Sequence, residues 1–357
     1  MIRIETIEAH AAGEPLRLIV SGFPSVKGKT IFEQREYVRK RHDHLRRALM
    51  LEPRGHADMY GALLTTPEHD GSHAGVLFMH NEGYSTMCGH GVIAAVTIAV
   101  ERNLIVVPRQ ADGSAKITLD SPAGSIHAVA KVTDGAGRGL SPAHGANPRV
   151  TSVSFRNVPS FVLHPALVVR AGTREVRADV AFGGAFYAIV DSEAVGIPII
   201  PERLPDLRRA GMEIKHAVEK AVKVEHPLEP RLKGIYGTIF TGPPSGEGAD
   251  LRNVTIFADA QVDRSPCGTG TAAVMAVLAA MGMLAGPDQV FTHESIIGTT
   301  FRGRIIGETS LSIINAELPT SNAITAIIPE IEGEAFITGE STFFIDDDDP
   351  LKYGFRI

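Results

Sequence analysis

The chain has 357 residues, 44 % of them hydrophobic and 21 % charged, with a formal net charge of −6. At roughly one domain per 150 residues this length predicts two domains, each able to bury its own core, and so ordinary a composition excludes a disordered or fibrous chain. No basic stripe is present to recruit a phosphate backbone, so no nucleic-acid partner is expected, and two cysteines, Cys88 and Cys267, are too few for a disulfide framework.

Taken in chain order, residues 1–9 alternate apolar with polar as a strand does and lack the features of a signal peptide, so a cytoplasmic location is expected. A second strand is predicted over 16–20, after the turn-prone Gly13-Glu14-Pro15. Residues 31–50, rich in Arg and Glu with apolar residues at helical spacing, predict one solvent-facing helix. Strand patterns return over 59–65 and 75–80 and lead towards Cys88. The stretch 133–148, rich in Gly and weakly patterned, predicts a surface loop, with a domain boundary near Asn157. Beyond it strands are predicted over 161–169, 176–182 and 186–190, a helix over 201–223, and strands over 235–241 and 254–258 that lead towards Cys267. After Phe301 the pattern is again β, and the acidic run 346–349 reads as a solvated turn. The apolar stretches 92–100 and 272–284 fall short of the roughly 20 residues that a bilayer requires, so no membrane span is expected.

The two cysteine segments echo one another. Cys88-Gly-His-Gly-Val-Ile-Ala-Ala and Cys267-Gly-Thr-Gly-Thr-Ala-Ala-Val both read Cys-Gly-x-Gly-x-x-Ala, and each runs into residues that are apolar on every face of a helix. Each cysteine is therefore expected at the N-terminus of a buried helix. There the unpaired amides and the positive end of the dipole stabilise a thiolate and bind an anion such as a carboxylate, while the neighbouring glycines leave the amides open. Two such ends facing each other would hold one carboxylate with a sulfur on either side of its α-carbon. A lone buried cysteine often packs as a small hydrophobe, but a matched pair in matched helix starts argues for chemistry. Zinc spacing is absent around Cys88 and His90, and neither segment has the third glycine of a phosphate loop; no metal and no cofactor are expected.

These residues resemble the proline racemase family, whose relatives include hydroxyproline epimerases and trans-3-hydroxy-L-proline dehydratases. The resemblance lies in Pro53-Arg-Gly-His-Ala-Asp-Met-Tyr-Gly61, Met87-Cys-Gly-His90, Phe182-Gly-Gly184 and Asp263-Arg-Ser-Pro-Cys-Gly-Thr-Gly270, and extends from Gly13-Glu14-Pro15 to Gly354-Phe355-Arg356. It implies an α+β fold of two pseudo-symmetric mixed α/β lobes, of the diaminopimelate epimerase type, with the active site in the interlobe cleft. The first lobe would be 1–157, joined by the C-terminal strands at about 330–357, and the second 158–329. It further implies that Cys88 and Cys267 are the acid and base, that Asp263 receives the substrate ammonium with His90 helping, and that the amides of Gly89, His90, Gly268 and Thr269 hold the carboxylate.

By the same resemblance the reaction is racemisation or epimerisation of proline or hydroxyproline without a cofactor. The in-family alternative is dehydration of trans-3-hydroxy-L-proline, whose enzymes resemble this chain around 58–60 and 80–88 but carry threonine where this chain has Cys267. Phe257 matches one of two ring-packing phenylalanines of the racemases and Tyr60 stands where the other would be; its hydroxyl seeks a partner, which a substrate hydroxyl would supply. Two readings belong to another class: a two-thiol redox protein, which lacks the Cys-x-x-Cys spacing and leaves Asp263 without a purpose, and a non-catalytic amino-acid binder on the same scaffold, which would bind substrate without exchanging its α-proton. The expected partner is the small-molecule substrate, and the sequence leaves open whether the chain is a monomer or a homodimer.

Overall fold

The computed structural model describes residues 1–134, 148–313 and 322–357. Most of the stretch predicted as a surface loop, 135–147, lies outside the described residues. The chain divides into two compact units, Met1–Phe155 with Glu332–Ile357, and Arg156–Ile331.

In the first unit β1 (Ile2–Ala11) and β2 (Glu14–Ser21) form a hairpin through Ala12-Gly13. The single helix expected over 31–50 is two, α1 (Ile31–Arg41) and α2 (Asp43–Met50). Charge explains the break. Thr30 and Glu33 form a capping box that starts α1, Arg39, Lys40 and Arg41 collect at its negative C-terminal end, and Asp43 opens α2 at a positive end. Between them His42 leaves the helical region, with φ −132°. Next come β3 (Tyr60–Thr65), parallel to β2, β4 (Ala74–His80), antiparallel to β3, and β5 (Tyr84–Ser85), antiparallel to β4. α3 (Gly89–Glu101) then leads to β6 (Ser114–Ser121), β7 (Gly124–Asp134) and β8 (Pro148–Arg156), at whose last residue the second unit begins.

The second unit runs β9 (Phe161–Ala171), β10 (Arg174–Phe182), β11 (Phe186–Asp191), α4 (Ser192–Val195), α5 (Leu204–Ala221), β12 (Gly237–Gly242), β13 (Leu251–Phe257) and β14 (Gln261–Asp263). The helix expected over 201–223 opens as a tight turn at Pro201–Arg203 and closes at Ala221, because Val222 is extended. After α6 (Gly268–Ala280) come β15 (Phe291–Glu294), β16 (Thr300–Ile313) and β17 (Asn322–Gly333), and the chain passes back to the first unit. There β18 (Ala335–Ile345) pairs antiparallel along the whole of β1, from Ile2 opposite Ile345 to Ala11 opposite Ala335.

Each unit has its own core. Ile4, Leu45, Leu49 and Met79 pack together in the first; Phe161, Phe182 and Phe186 cluster in the second, beside Leu207, Ile214 and Val218 of α5. α3 and α6 lack a polar face, and α3 is buried from Gly89 to Val100, α6 from Gly268 to Val277. The acidic turn 346–349 is paired as well as exposed: Asp347 accepts from the Met1 amino group at 2.7 Å and Asp349 meets Arg54 at 3.2 Å. No described helix is long and apolar enough to cross a membrane.

Candidate active site

Cys88 is the N-cap of α3, and its sulfur accepts the Gly91 amide at 3.2 Å. His90 reaches the same sulfur, with Nδ1 at 3.2 Å. The repeated glycine three residues after the cysteine has a steric cause, because a Cβ on Gly91 would lie 2.9 Å from the sulfur and 2.6 Å from the Phe78 ring. The His90 ring packs edge-on against Tyr60, at 4.7 Å and 75°, and Tyr60 lies over its cross-strand neighbour His80 at 5.7 Å. The hydroxyl of Tyr60 is hydrogen-bonded to Ser85, so it has a partner within the protein where the sequence pointed to a substrate hydroxyl. Arg46 donates to the carbonyls of His80 and Asn81 at 2.8 and 2.6 Å, and Asn81 accepts from the Met59 amide. These bonds fix the loop that delivers Tyr60.

Cys267 caps α6 in a different way. Its φ of 62° lies in the left-handed region, unusual for a side chain of this kind. The Asp-x-Ser-x-Cys sequence supplies the restraint. Ser265 donates both its amide and its hydroxyl to Asp263, at 2.9 and 2.7 Å, and its hydroxyl oxygen accepts the Cys267 amide at 3.1 Å. On the far side of the turn the Thr271 amide reaches the Cys267 carbonyl at 2.7 Å, and the Thr271 hydroxyl meets Nδ1 of the buried His293 at 2.9 Å. Burial pushes the His293 imidazole down to about 3, so it stays neutral. A Cβ on Gly270 would lie 3.0 Å from the Cys267 sulfur, and one on Gly183 would collide with the Thr269 carbonyl. The Phe-Gly-Gly motif is thus the seat on which the start of α6 rests.

The Cys267 thiol is pushed up to about 12, first by burial and then by the charge of Asp263; the Tyr187 hydroxyl, the Gly270 amide and the Thr269 hydroxyl pull the other way. Tyr187 is fully buried, and its hydroxyl lies 2.7 Å from Thr269 Oγ1 and 3.7 Å from the Cys267 sulfur. Tyr236 stands edge-on to Tyr187 at 5.9 Å and stacks on Phe257 at 5.4 Å.

The first unit therefore gathers Cys88, His90 and Tyr60 at one helix start, and the second gathers Cys267, Asp263 and Thr269 at another, with Phe257 linked through Tyr236 and Tyr187. The amides of Gly89 and His90, and of Gly268 and Thr269, lie in the first turns, ahead of the first intrahelical bonds at Val92 and Thr271. Sequence reasoning missed His80, Ser85, Ser265, Tyr187 and Tyr236. His80, Ser85 and Ser265 lie within segments that carry the resemblance, whereas Tyr187 reads as one more apolar strand residue.

Residues 6–356 match the family model described as Proline racemase. The chain is 45 % identical over 352 residues to a trans-3-hydroxy-L-proline dehydratase of Bacillus thuringiensis subsp. konkukian, covering 99 % of this chain and 97 % of the relative. It is 39 % identical over 355 residues to proline racemase A of Trypanosoma cruzi, covering 98 % and 81 %. Among solved structures it is similar to a hydroxyproline epimerase from Agrobacterium vitis with bound trans-4-hydroxy-L-proline, with a TM-score of 0.85 and 29 % identity, over 100 % of this chain and 95 % of that one.

Proposed function

This chain belongs to the proline racemase family, and from that premise we propose that Cys88 and Cys267 invert the α-carbon of proline or hydroxyproline without a cofactor. One sulfur, as thiolate, takes the α-proton; the other, as thiol, delivers a proton to the opposite face, and the roles exchange with the direction of reaction. In this reading the two units are pseudo-symmetric lobes whose cysteine helices act on one substrate. The amides of Gly89, His90, Gly268 and Thr269 hold its carboxylate, Asp263 with His90 takes its ammonium group, and Tyr60 and Phe257 flank its ring.

The observation that carries inversion is Cys267 itself. Burial and the charge of Asp263 keep it a neutral thiol at a helix N-terminus, so it has a proton to give. Cys88, whose sulfur accepts an amide hydrogen bond at its own helix start, is placed to bear negative charge.

The second reading is dehydration of trans-3-hydroxy-L-proline. Similarity favours it: the dehydratase relative is 45 % identical and the racemase 39 %. In that reaction a thiolate takes the α-proton, the α,β double bond forms, and the β-hydroxyl leaves as water with a proton that the Cys267 thiol would supply in this chain, where the family's dehydratases carry threonine. Both readings share the first step. Incubation with L- and D-proline, trans-4-hydroxy-L-proline and trans-3-hydroxy-L-proline in deuterated water separates them. Inversion gives the opposite configuration with one deuterium at the α-carbon, and dehydration gives loss of the ring hydroxyl from the 3-hydroxy substrate alone. Absence of both changes with every substrate would overturn both.

A further inference from the structure

The residue two places after each cysteine touches its sulfur, but the two contacts differ. His90 Nδ1 approaches Cys88 to 3.2 Å, whereas Thr269 Oγ1 stays 3.9 Å from Cys267, near the limit for a bond to sulfur. The closer hydroxyl at Cys267 belongs to Tyr187, at 3.7 Å, far away in sequence on β11. Once Cys267 has given up its proton, two protons are shared among these two hydroxyl oxygens and the sulfur. If Thr269 donates to Tyr187 across their 2.7 Å contact, the phenol proton is directed at the sulfur. The reverse order would leave only the longer Thr269 contact. Tyr187 has no solvent alternative, since it is 0 % exposed, and it is held edge-on by Tyr236. Asp263 opposes negative charge on Cys267, and a donor to the sulfur offsets it.

We propose that Tyr187 is the positioning residue for Cys267: its hydroxyl fixes the direction of the sulfur and donates to the thiolate left when the S–H bond breaks and the proton passes to the α-carbon. Tyr187 keeps its own proton throughout, because burial holds the phenol well above its ordinary range. This rests on Cys267 exchanging a proton in turnover, and it deepens that reading by giving the second thiol a device of its own, a tyrosine backed by a threonine in place of a histidine.

The test uses the full chain. In a Cys88→Ser background Cys267 is the sole cysteine, and its alkylation by iodoacetamide is followed by mass across a pH series. Adding Tyr187→Phe, which keeps the ring, is expected to lower the thiolate fraction about fivefold, as for one lost hydrogen bond. Alkylation then slows about twofold, since the more basic sulfur recovers roughly half of that logarithm as nucleophilicity. Thr269→Val, which removes the backing hydroxyl but keeps the Tyr187 phenol as donor to the sulfur, is expected to leave the rate unchanged or raised. With both cysteines present, Tyr187→Phe is expected to lower kcat about fivefold with KM within about twofold. Alkylation that is equal or faster in Tyr187→Phe overturns the proposal, as does equal slowing in Thr269→Val, which would make Thr269 the donor. Should the Tyr187 variant fail to fold by circular dichroism, Thr269→Val alone decides by the direction of its effect. Because alkylation requires no substrate, failure of the proposed reaction would appear separately, as the absence of α-proton exchange in the unsubstituted chain.

Discussion

At the scale of single residues, the roles proposed for the two sulfurs predict that neither can be spared. A serine hydroxyl is too weak an acid to replace a thiol, so Cys88→Ser and Cys267→Ser are each expected to lower stereoinversion by at least about three orders of magnitude while circular dichroism stays unchanged. Inversion by either single variant at the unsubstituted rate would refute the two-thiol mechanism. Tyr60 has a smaller part. With its hydroxyl on Ser85, Tyr60→Phe is expected to reduce kcat/KM for proline and hydroxyproline alike, by about two- to tenfold; a loss confined to hydroxyproline would place that hydroxyl on the substrate. Asp120 tests stability. It is buried and accepts the Glu68 and His69 amides and the Ser72 and Ser125 hydroxyls; burial pushes its carboxyl up, but the His69 amide, Ser125 and Ser72 outweigh it and the net shift is downward. A folded pKa below the unfolded value gives stability that is present above the unfolded pKa and lost as pH falls through the folded one. Asp120→Asn should therefore cost about 1–3 kcal/mol at pH 7, and denaturant titrations should show the gap closing below about pH 4. Cys88, His90, Asp263 and Cys267 were legible because each sits in a short motif. Tyr187 was not, since only the pairing of β11 within the second unit brings it to α6 from so far along the chain.

At the scale of elements, the Cys-Gly-x-Gly repeat predicted both buried helices, and the structure adds the reason for its second glycine. By helix propensity alone Gly91→Ala should stabilise α3 by about 1 kcal/mol. The Cβ would instead press on Phe78 and on the Cys88 sulfur, at 2.6 and 2.9 Å. Net destabilisation of about 1–3 kcal/mol is expected, together with loss of turnover from a displaced thiol. A stabilised, fully active Gly91→Ala protein would contradict this. Other elements were less legible. The break at His42 was written in charge, a basic triplet followed by Asp43, which a search for apolar periodicity passes over. Strands β6 and β7 escaped as well, although β7 alternates buried and exposed residues along much of its length, because Lys116, His127 and Lys131 dilute their apolar character.

At the scale of the whole molecule, the chain closes on itself in a way that no local pattern announces. β1 is flanked by β2 on one side and by β18 on the other, so the last strand of the sequence completes the sheet that the first began. Further contacts secure the return. Arg54 donates to the carbonyls of Phe344 and Lys352 and meets Asp349, Phe343 covers the buried Arg17 guanidinium at 4.3 Å, and Ile345 packs in the core with Ile4. Arg17 in turn pairs with Glu8 and donates to the Leu49 and Arg54 carbonyls, so it joins β1, β2 and the end of α2. A chain ending at Ile331 would lose β18 and leave β1 with an unpaired edge and the Arg17 charge uncovered. The second unit holds its own aromatic core and loses none of it. Hydrogen exchange on such a truncated chain should therefore find β1, β2 and α3 unprotected while β9 to β13 keep their protection, and α-proton exchange should vanish with the Cys88 half of the chemistry. Equal protection of both units would mean that β1 and β2 stand without the returning strand, and that the C-terminal segment serves something other than the first core.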